Sequence, residues 1–155
     1  MKITTVHSQS EIDQCFDFLK AIWKEEFEID WNLELEEKKK EFLISELSYI
    51  KSDNKIVSVV QFFKYNKGRP LTSGYVPEND YSILWRVWTL KEYRWRWFWT
   101  ALIKQWFEQI NNPPHTDIYI PSELWNLEYY RKFWFTEFWD KVDKWNAQYI
   151  YMKNN

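Results

Sequence analysis

The sequence predicts a single α/β domain in which helices flank one mixed β-sheet. The chain has 155 residues, which is the size of one domain. Apolar patterns of period 2 and period 3.6 follow each other as strand, two helices, three strands, helix, strand, helix and two strands. No internal repeat, long linker or low-complexity segment interrupts this order, so residues 1–155 are predicted to form one domain.

The first half of the chain predicts two helices and a β-hairpin. Ser10 opens an amphipathic helix, and Asp53-Asn54 is a tight-turn signal between two β-rich runs. The predicted elements are a strand at 2–6, a helix from Ser10 with the apolar stripe Ile12, Cys15, Phe16, Leu19 and Ile22, a charged helix at 33–47, and strands at 48–51 and 55–65. A loop at 66–80 follows and contains both glycines, Gly68 and Gly74.

A strand–helix–strand unit dominates the second half. Strand 81–89 leads almost at once into a helix whose apolar face is typical of packing on a sheet. That face consists of Trp99, Leu102, Ile103, Trp106, Phe107 and Ile110. Beyond a break with two prolines at 111–116, the pattern predicts a strand at 117–120, a helix at 127–133, and strands at 135–139 and 147–152.

Charge and cysteine content exclude several classes of function. Lys plus Arg number 21 against 23 Asp plus Glu, and a net charge of -2 gives no global field that attracts nucleic acid or an anionic membrane. The one cysteine, Cys15, excludes an internal disulfide and a cysteine-based metal cluster, and no metal site is predicted. We interpret Cys15 as a buried apolar residue. The first thirty residues lack an apolar segment for secretion or membrane spanning, so the predicted compartment is the cytoplasm.

Tryptophan and glycine have unusual counts. There are 12 Trp and 2 Gly, whereas average usage of about 7 % Gly predicts roughly 11 glycines. The deficit matters because turns, helix C-caps and phosphate-binding loops need backbone conformations that glycine adopts at low cost.

The turn between strand 81–89 and the next helix is the candidate binding loop. A strand that enters a helix through a tight loop presents unpaired amide N–H groups and the positive end of the helix dipole, a geometry that suits a pyrophosphate. Lys91, Arg94 and Arg96 add cations that can meet phosphate oxygens. From charge alone, a solvated basic turn is the favoured alternative.

This loop resembles the signature of the GNAT superfamily of N-acetyltransferases. Residues 92–103 read EYRWRWFWTALI, which is similar to the family's EYRGRGxGTALI type if Trp95, Trp97 and Trp99 stand where glycine is usual. Residues 84–90, LWRVWTL, resemble the strand that precedes the loop in the family.

A second segment, in the right order, strengthens the resemblance. Residues 129–135, YYRKFWF, are similar to the family's FYxKxGF segment with Trp134 at its glycine, and the likeness covers residues 53–152. It implies a mixed, centrally splayed sheet in which strands 81–89 and 117–120 run parallel and then separate, with a right-handed crossover between them.

The resemblance implies acetyl-coenzyme A as co-substrate. The pyrophosphate would be bound by the backbone amides of Arg94, Trp95, Arg96, Trp97, Phe98, Trp99 and Thr100. Val87 and Thr89 would pair with the pantetheine arm, and Asn126 would contact the cofactor. Tyr130 matches the tyrosine that protonates the departing thiolate in many members, and a phenol of pKa near 10 suits this transfer. A core tyrosine is the alternative interpretation.

No motif marks the base that removes the amine proton. Asp80 and Glu123 lie near the strand ends that flank the expected cleft and are the candidates, with solvated carboxylates as the alternative.

The implied reaction is transfer of acetyl to a primary amine of a small molecule or peptide, by direct attack in a ternary complex. The amine would be bound largely by the first two helices and loop 66–80, which carry no motif. A homodimer is left open, and neither nucleic acid nor a membrane is an expected partner.

The tryptophans conflict with the implied chemistry. Indoles at Trp95, Trp97 and Trp99 would fill the space where amides must reach phosphate, so poor binding of acetyl-coenzyme A is predicted. Three explanations are open: a codon translated here as Trp that the source decodes as Gly, an engineered sequence, or a true aromatic surface. We favour the first, because the replacements follow expected glycine sites along the whole chain. The third would make the chain a non-catalytic Trp/Arg-rich binding module for a membrane surface or single-stranded nucleic acid.

Overall fold

The computed structural model describes residues 2–28, 35–71, 73–95, 98, 100–102, 104–105, 108, 117–138, 142–144 and 147–154. The strands are β1 Ile3–Thr5, β2 Glu46–Ser52, β3 Lys55–Tyr65, β4 Tyr81–Thr89, β5 Asp117–Glu123, β6 Phe135–Glu137, β7 Val142–Lys144 and β8 Ala147–Asn154. The helices are α1 Gln9–Phe27, α2 Leu35–Ile44 and α3 Leu127–Arg131. The described residues from 98 to 108 are also helical. This order confirms the predicted fold class.

Several predicted boundaries were wrong. The charged helix ends at Ile44, because Leu47 is buried as part of β2. β5 continues past Ile120 to Glu123, and α3 ends at Arg131, two residues before the predicted end. The short strand β7 was not predicted, since two of its three residues are charged and give no apolar pattern.

Ser8, and not Ser10, is the N-cap of α1. The Ser8 hydroxyl accepts from the amide of Glu11 at 3.3 Å, and the Glu11 carboxylate accepts from the amide of Ser8 at 3.0 Å. This capping box needs a glutamate three residues after the cap, which Ser8 has and Ser10 lacks. Hydrogen bonds from the His7 amide, the Ser8 hydroxyl and the Tyr49 hydroxyl lower the pKa of Glu11 to about 2.

The eight strands form one mixed sheet. Their order is β1-β2-β3-β4-β5-β8-β6, and β7 pairs with β8. β2 is antiparallel to β1 and β3, and β8 is antiparallel to β5, β6 and β7. The predicted hairpin turn joins β2 to β3, where Asp53 and Asn54 have positive φ angles of 50° and 62°. Two consecutive left-handed residues are what a tight hairpin turn requires, and Asp and Asn adopt that conformation more readily than most residues.

β4 and β5 run parallel and separate after a short ladder. Their pairs are Tyr81 with Asp117, Ser82 with Ile118, and Ile83 with Tyr119. β4 continues to Thr89 and β5 to Glu123, and along these two fully described strands the ladder does not extend further. The predicted parallel, centrally splayed arrangement is confirmed.

The chain packs as two compact units, Met1–Phe62 with Arg86–Trp106 and Phe63–Trp85 with Phe107–Asn155. The core of the first unit contains Cys15, Phe16, Leu19, Phe42, Leu47, Tyr49, Ile56 and Val59. Burial raises the pKa of the Cys15 thiol to about 12, which agrees with an inert core residue. The core of the second unit contains Leu71, Tyr81, Ile83, Tyr119 and Tyr151. A single domain over residues 1–155 stays a prediction.

A partly buried polar network in the first unit holds α2 against the sheet. Arg86 Nη1 donates to Glu41 Oε2 at 2.8 Å and to Gln61 Oε1 at 2.7 Å. Gln61 Nε2 in turn donates to Ser45 Oγ at 3.0 Å, and Gln61 is fully buried. Because buried polar groups need partners, these bonds set the position of the last turn of α2.

Candidate active site

The β4 loop, residues 90–98, belongs to the first unit, and its described part contains one tight turn. The Leu90 amide donates to the Val57 carbonyl at 2.9 Å, which ties the start of the loop to β3. One 3-10 turn follows at Lys91–Tyr93, and the Arg94 amide closes it by donating to the Lys91 carbonyl at 3.2 Å. The chain is helical at Phe98. The loop therefore has the strand–turn–helix arrangement that the sequence predicted.

The side chain of Arg94 is held by two elements. Its Nη1 and Nη2 donate to the two carboxylate oxygens of Glu26 at 2.8 and 2.7 Å, and its Nε donates to the Thr89 carbonyl at 2.5 Å. Glu26 lies in the last turn of α1, and both charged side chains are mostly buried. The predicted role of Arg94 in phosphate binding stays a prediction, and its guanidinium is engaged by Glu26 and Thr89 and its amide by Lys91.

The other predicted cofactor-binding residues of the loop are described only in part. Trp95 is 69 % exposed, Thr100 is exposed and Phe98 is half-buried. Arg96, Trp97 and Trp99 lie outside the described residues. At Trp95 an indole stands beside the backbone amide that the resemblance assigns to phosphate.

Val87 and Thr89 lie on the part of β4 that extends beyond its pairs with β5. Thr89 is 3 % exposed, and its hydroxyl lies 2.9 Å from that of Ser58 on β3. The Ser58 hydroxyl also contacts the Trp88 carbonyl at 3.1 Å. Since the Thr89 side chain is engaged with β3, a contact between Thr89 and a pantetheine arm would use main-chain groups.

Glu123, Asn126 and Tyr130 belong to one continuous segment of the second unit. β5 ends at Glu123, a 3-10 turn covers Leu124–Asn126, and α3 begins directly after it and carries Tyr130. Asn126 and Tyr130 are half-buried. The direct passage from strand to helix places Glu123 at the last position of β5, and Asn126 and Tyr130 in the turn and helix that follow it.

Tyr130 has the protonation state that a proton donor needs. Burial first, and the negative charge of Glu123 second, raise the pKa of its phenol to about 12. Its ring lies 5.4 Å from that of Tyr129 and 6.4 Å from that of the buried Phe135. A phenol in this setting keeps its proton throughout the neutral range.

Glu123 has a partner that the sequence did not reveal. Tyr149 on β8 is its cross-strand neighbour in the antiparallel ladder. Burial, the charge of Glu123 and a hydrogen bond to the Glu123 carboxylate raise the pKa of Tyr149. The pairing depends on the register of two strands that are distant in sequence, and no local signal encodes it.

Asp80, the other candidate base, closes a loop instead. It directly precedes Tyr81, whose partner is Asp117, so it lies at the paired end of β4 and β5 and not at the end where they separate. Its Oδ1 accepts from the amide of Lys67 at 2.8 Å, which closes loop 66–80. The role of Asp80 as base stays a prediction that this position does not support.

The whole architecture matches solved structures. An N-acetyltransferase from Staphylococcus aureus Mu50 is 14% identical, covers 99% of this chain and 100% of its own, and has a TM-score of 0.66. Arabidopsis thaliana Naa50, in complex with the bisubstrate analogue CoA-Ac-MVNAL, is 14% identical over 100% and 99% of the two chains with a TM-score of 0.62. A GNAT family acetyltransferase from Elizabethkingia anophelis with acetyl-CoA bound is 11% identical over 77% and 81%, with a TM-score of 0.56.

The chain has the GNAT fold. The resemblance inferred from the two sequence segments is thereby confirmed at the level of the fold. No protein-family model matches the chain, and no curated protein matches it in sequence. The likeness therefore rests on three-dimensional structure.

Two further properties of this GNAT fold concern metals and membranes. Among the residues that the structure describes, no group of three or more His, Cys, Asp or Glu side chains is arranged to hold a metal ion. Within the same residues, no helix combines the length and the apolar character that crossing a membrane requires.

Trp134 adopts a backbone conformation that favours glycine. It follows α3 in the segment that resembles FYxKxGF, with a φ angle of 68° and an indole that is 78 % exposed. Its amide donates to the Arg131 carbonyl at 3.1 Å, as in the left-handed turns that commonly end helices. A residue with a Cβ is strained in this conformation, and the exposed indole gains little burial in return.

We expect Trp134→Gly to raise the free energy of unfolding by about 1 kcal/mol, because glycine adopts the left-handed conformation without strain. Urea unfolding of the purified chain measures the change. Trp134→Ala is the matched control, since it removes the indole but keeps the Cβ and most of the strain. Trp95→Gly is a second control, because Trp95 is exposed without a positive φ angle. Equal stability of the Gly and Ala variants at 134 would contradict the strain argument.

Proposed function

We propose that this chain is an acetyl-coenzyme A-dependent N-acetyltransferase that acetylates a primary amine of a small molecule or peptide. The observation that carries the proposal is the GNAT fold along the whole chain, with the two resembling segments at the β4 loop and at α3. Two matched structures support the ligand classes, one by its bound acetyl-CoA and the other by a CoA–peptide bisubstrate analogue. The cytoplasm stays the predicted compartment, and a homodimer stays open.

In this proposal the coenzyme lies along β4 and the β4 loop. The amides from Trp95 through Thr100 bind the pyrophosphate, and the main chain at Val87 and Thr89 pairs with the pantetheine arm. Val87 and Thr89 lie beyond the ladder between β4 and β5, which supports this role because an extended arm can add to the edge of a strand. Asn126 contacts the coenzyme from the segment after β5. Arg94 shapes the loop and does not bind phosphate.

The proposed reaction is direct attack within a ternary complex. The amine nitrogen attacks the thioester carbonyl carbon, the new C–N bond forms, and the C–S bond breaks to release the thiolate of coenzyme A. Glu123 accepts the proton that the amine loses, and the phenol of Tyr130 donates a hydrogen bond and then its proton to the thiolate. Holding both reactants in one site supplies much of the rate.

An assay of thiol release tests the proposal. We expect a variant with glycine at 95, 97 and 99 to release coenzyme A from acetyl-coenzyme A in the presence of a primary amine or a peptide with a free N-terminus. The mass of the product should exceed that of the amine by one acetyl group. A panel of amines and N-terminal peptides, with the tertiary amine triethylamine as a control that lacks a replaceable N–H, identifies the acceptor class.

Comparison of the unaltered chain with the glycine variant distinguishes the alternative of a Trp/Arg-rich binding module. That alternative predicts salt-dependent binding of the unaltered chain to single-stranded DNA or anionic vesicles, and no thiol release. The alternative depends on the alternating cations and aromatic residues at 94–99. One of these cations, Arg94, is already neutralised by its ion pair with Glu26. Tight DNA or vesicle binding, together with an inactive glycine variant, would overturn the proposed acetyltransferase.

A further inference from the structure

We propose that Glu26 is a positioning residue of the coenzyme site, which acts through Arg94 to hold the β4 loop in its binding conformation. This inference rests on the proposed function, and it assigns to Glu26 and Arg94 a structural task in place of phosphate contact. Glu26 is 68 positions away from Arg94 in sequence and comes from a different element. The pair therefore joins α1 to the loop.

The geometry of the pair immobilises the loop. All three nitrogens of the Arg94 guanidinium are used, two by the Glu26 carboxylate at 2.8 and 2.7 Å and one by the Thr89 carbonyl at 2.5 Å. A planar guanidinium held by a helix and by the end of a strand is restricted in rotation, because turning it would break these bonds. Arg94 is also held through its amide, which donates to Lys91. Side chain and main chain of Arg94 are thus fixed together.

Arg94 lies directly before the residues that we assign to the pyrophosphate, so its ion pair with Glu26, called the tether below, can affect ligand binding. The loop begins with the hydrogen bond from Leu90 to Val57, and Arg94 fixes the far side of the 3-10 turn. The next residues, Trp95 to Thr100, carry the amides that we assign to the pyrophosphate. A loop fixed in advance loses less conformational entropy when the ligand binds, so the tether increases affinity without touching the ligand.

Removing the charge of Glu26 should loosen the loop in the unaltered chain. We expect Glu26→Gln to speed hydrogen exchange of the Tyr93 and Arg94 amides about tenfold, because local opening is no longer resisted by the charged pair. Exchange in the middle of α1 should stay unchanged, which separates loosening of the loop from loss of the helix. Glu25→Gln is the matched control, since Glu25 is an exposed neighbour on the same helix. Equal loop exchange in the two variants would overturn the inference.

The consequence for the ligand is measured in the variant with glycine at 95, 97 and 99. There we expect Glu26→Gln to raise the Kd for acetyl-coenzyme A about tenfold while kcat changes less than twofold, because the pair positions the loop but takes no part in the reaction. Arg94→Lys should have the same effect, and combining it with Glu26→Gln should add little. A Kd that Glu26→Gln leaves unchanged would overturn the role in coenzyme binding. Failure of the glycine variant to bind before any change at Glu26 would overturn the proposed function itself.

Discussion

We expect replacement of Trp95, Trp97 and Trp99 by glycine to raise the affinity for acetyl-coenzyme A by about two to four orders of magnitude. The unaltered chain should bind the ligand weakly, through the positive charges that Lys91 and Arg96 bring to the loop sequence, and in a salt-sensitive way because salt screens attraction between charges in water. Isothermal titration of the two proteins at physiological salt measures the difference directly.

The tryptophans of the loop obstruct phosphate binding sterically. Amide nitrogens must come within about 3 Å of phosphate oxygens, and side chains of indole size crowd this approach. Each amide-to-phosphate bond that forms contributes roughly 1.5 to 3 kcal/mol, so two restored bonds account for the expected gain. Trp95 carries such an indole next to an amide assigned to phosphate, and 69 % of its surface is exposed.

A triple replacement by alanine is the matched control for this first prediction. Alanine removes the indoles but keeps a Cβ at each position, so it should recover only part of the affinity. Micromolar affinity in the unaltered chain would contradict the prediction, because the loop would then tolerate its tryptophans. The interpretation of these residues as misplaced glycines would lose its main physical support.

We expect Tyr130→Phe, made in the glycine variant, to lower kcat about a hundredfold while leaving the Kd for acetyl-coenzyme A within twofold. The phenol acts on the leaving thiolate, which exists only as the C–S bond breaks, so its loss affects turnover and not coenzyme binding. Steady-state kinetics and titration of the same preparation separate the two effects. An unchanged kcat would remove Tyr130 from the mechanism.

The pKa of Tyr130 links it to Glu123. A phenol with a pKa of about 12 is fully protonated at neutral pH. Its proton transfer to a thiolate is energetically uphill, because the corresponding thiol has a lower pKa, near 8.5. When Glu123 takes up the amine proton, its negative charge disappears, and with it the second cause of the raised pKa. Tyr130 then becomes more acidic in the step in which the thiolate leaves.

This coupling has its own spectroscopic test. We expect Glu123→Gln to lower the pKa of Tyr130, so that tyrosinate absorbance appears at a lower pH than in the parent protein. This shift in absorbance should be absent when Tyr130 is also changed to Phe. Because the folded-state pKa is raised, Tyr130 keeps its proton up to about pH 12, and any loss of turnover at pH 8 to 10 must come from another group. Tyr129→Phe is the control for turnover, since it alters the neighbouring phenol on the same helix.

Much of the fold could be predicted because its signals are local. The period of the apolar residues in α1 and the Asp53-Asn54 turn are each contained within a few adjacent residues. The strand–helix–strand order around the β4 loop predicted parallel strands, since such crossovers are almost always right-handed and return to the same sheet. Tyr130 was predicted from the resemblance of residues 129–135 to a GNAT segment, and Glu123 from its place near a predicted strand end; their roles stay predictions.

The sequence by itself determined the class of fold, the position of the β4 loop and the conflict between its tryptophans and the chemistry of phosphate binding. Only the tertiary structure decided that Arg94 pairs with Glu26, that Glu123 lies opposite Tyr149, and that Asp80 closes a loop at the paired end of its strand. These contacts join residues far apart in the chain, and their energy depends on distance and burial that no local pattern records. The left-handed backbone at Trp134 is likewise a property of the folded turn. The positive φ angle of Trp134 predicts backbone strain, which the Trp134→Gly variant measures.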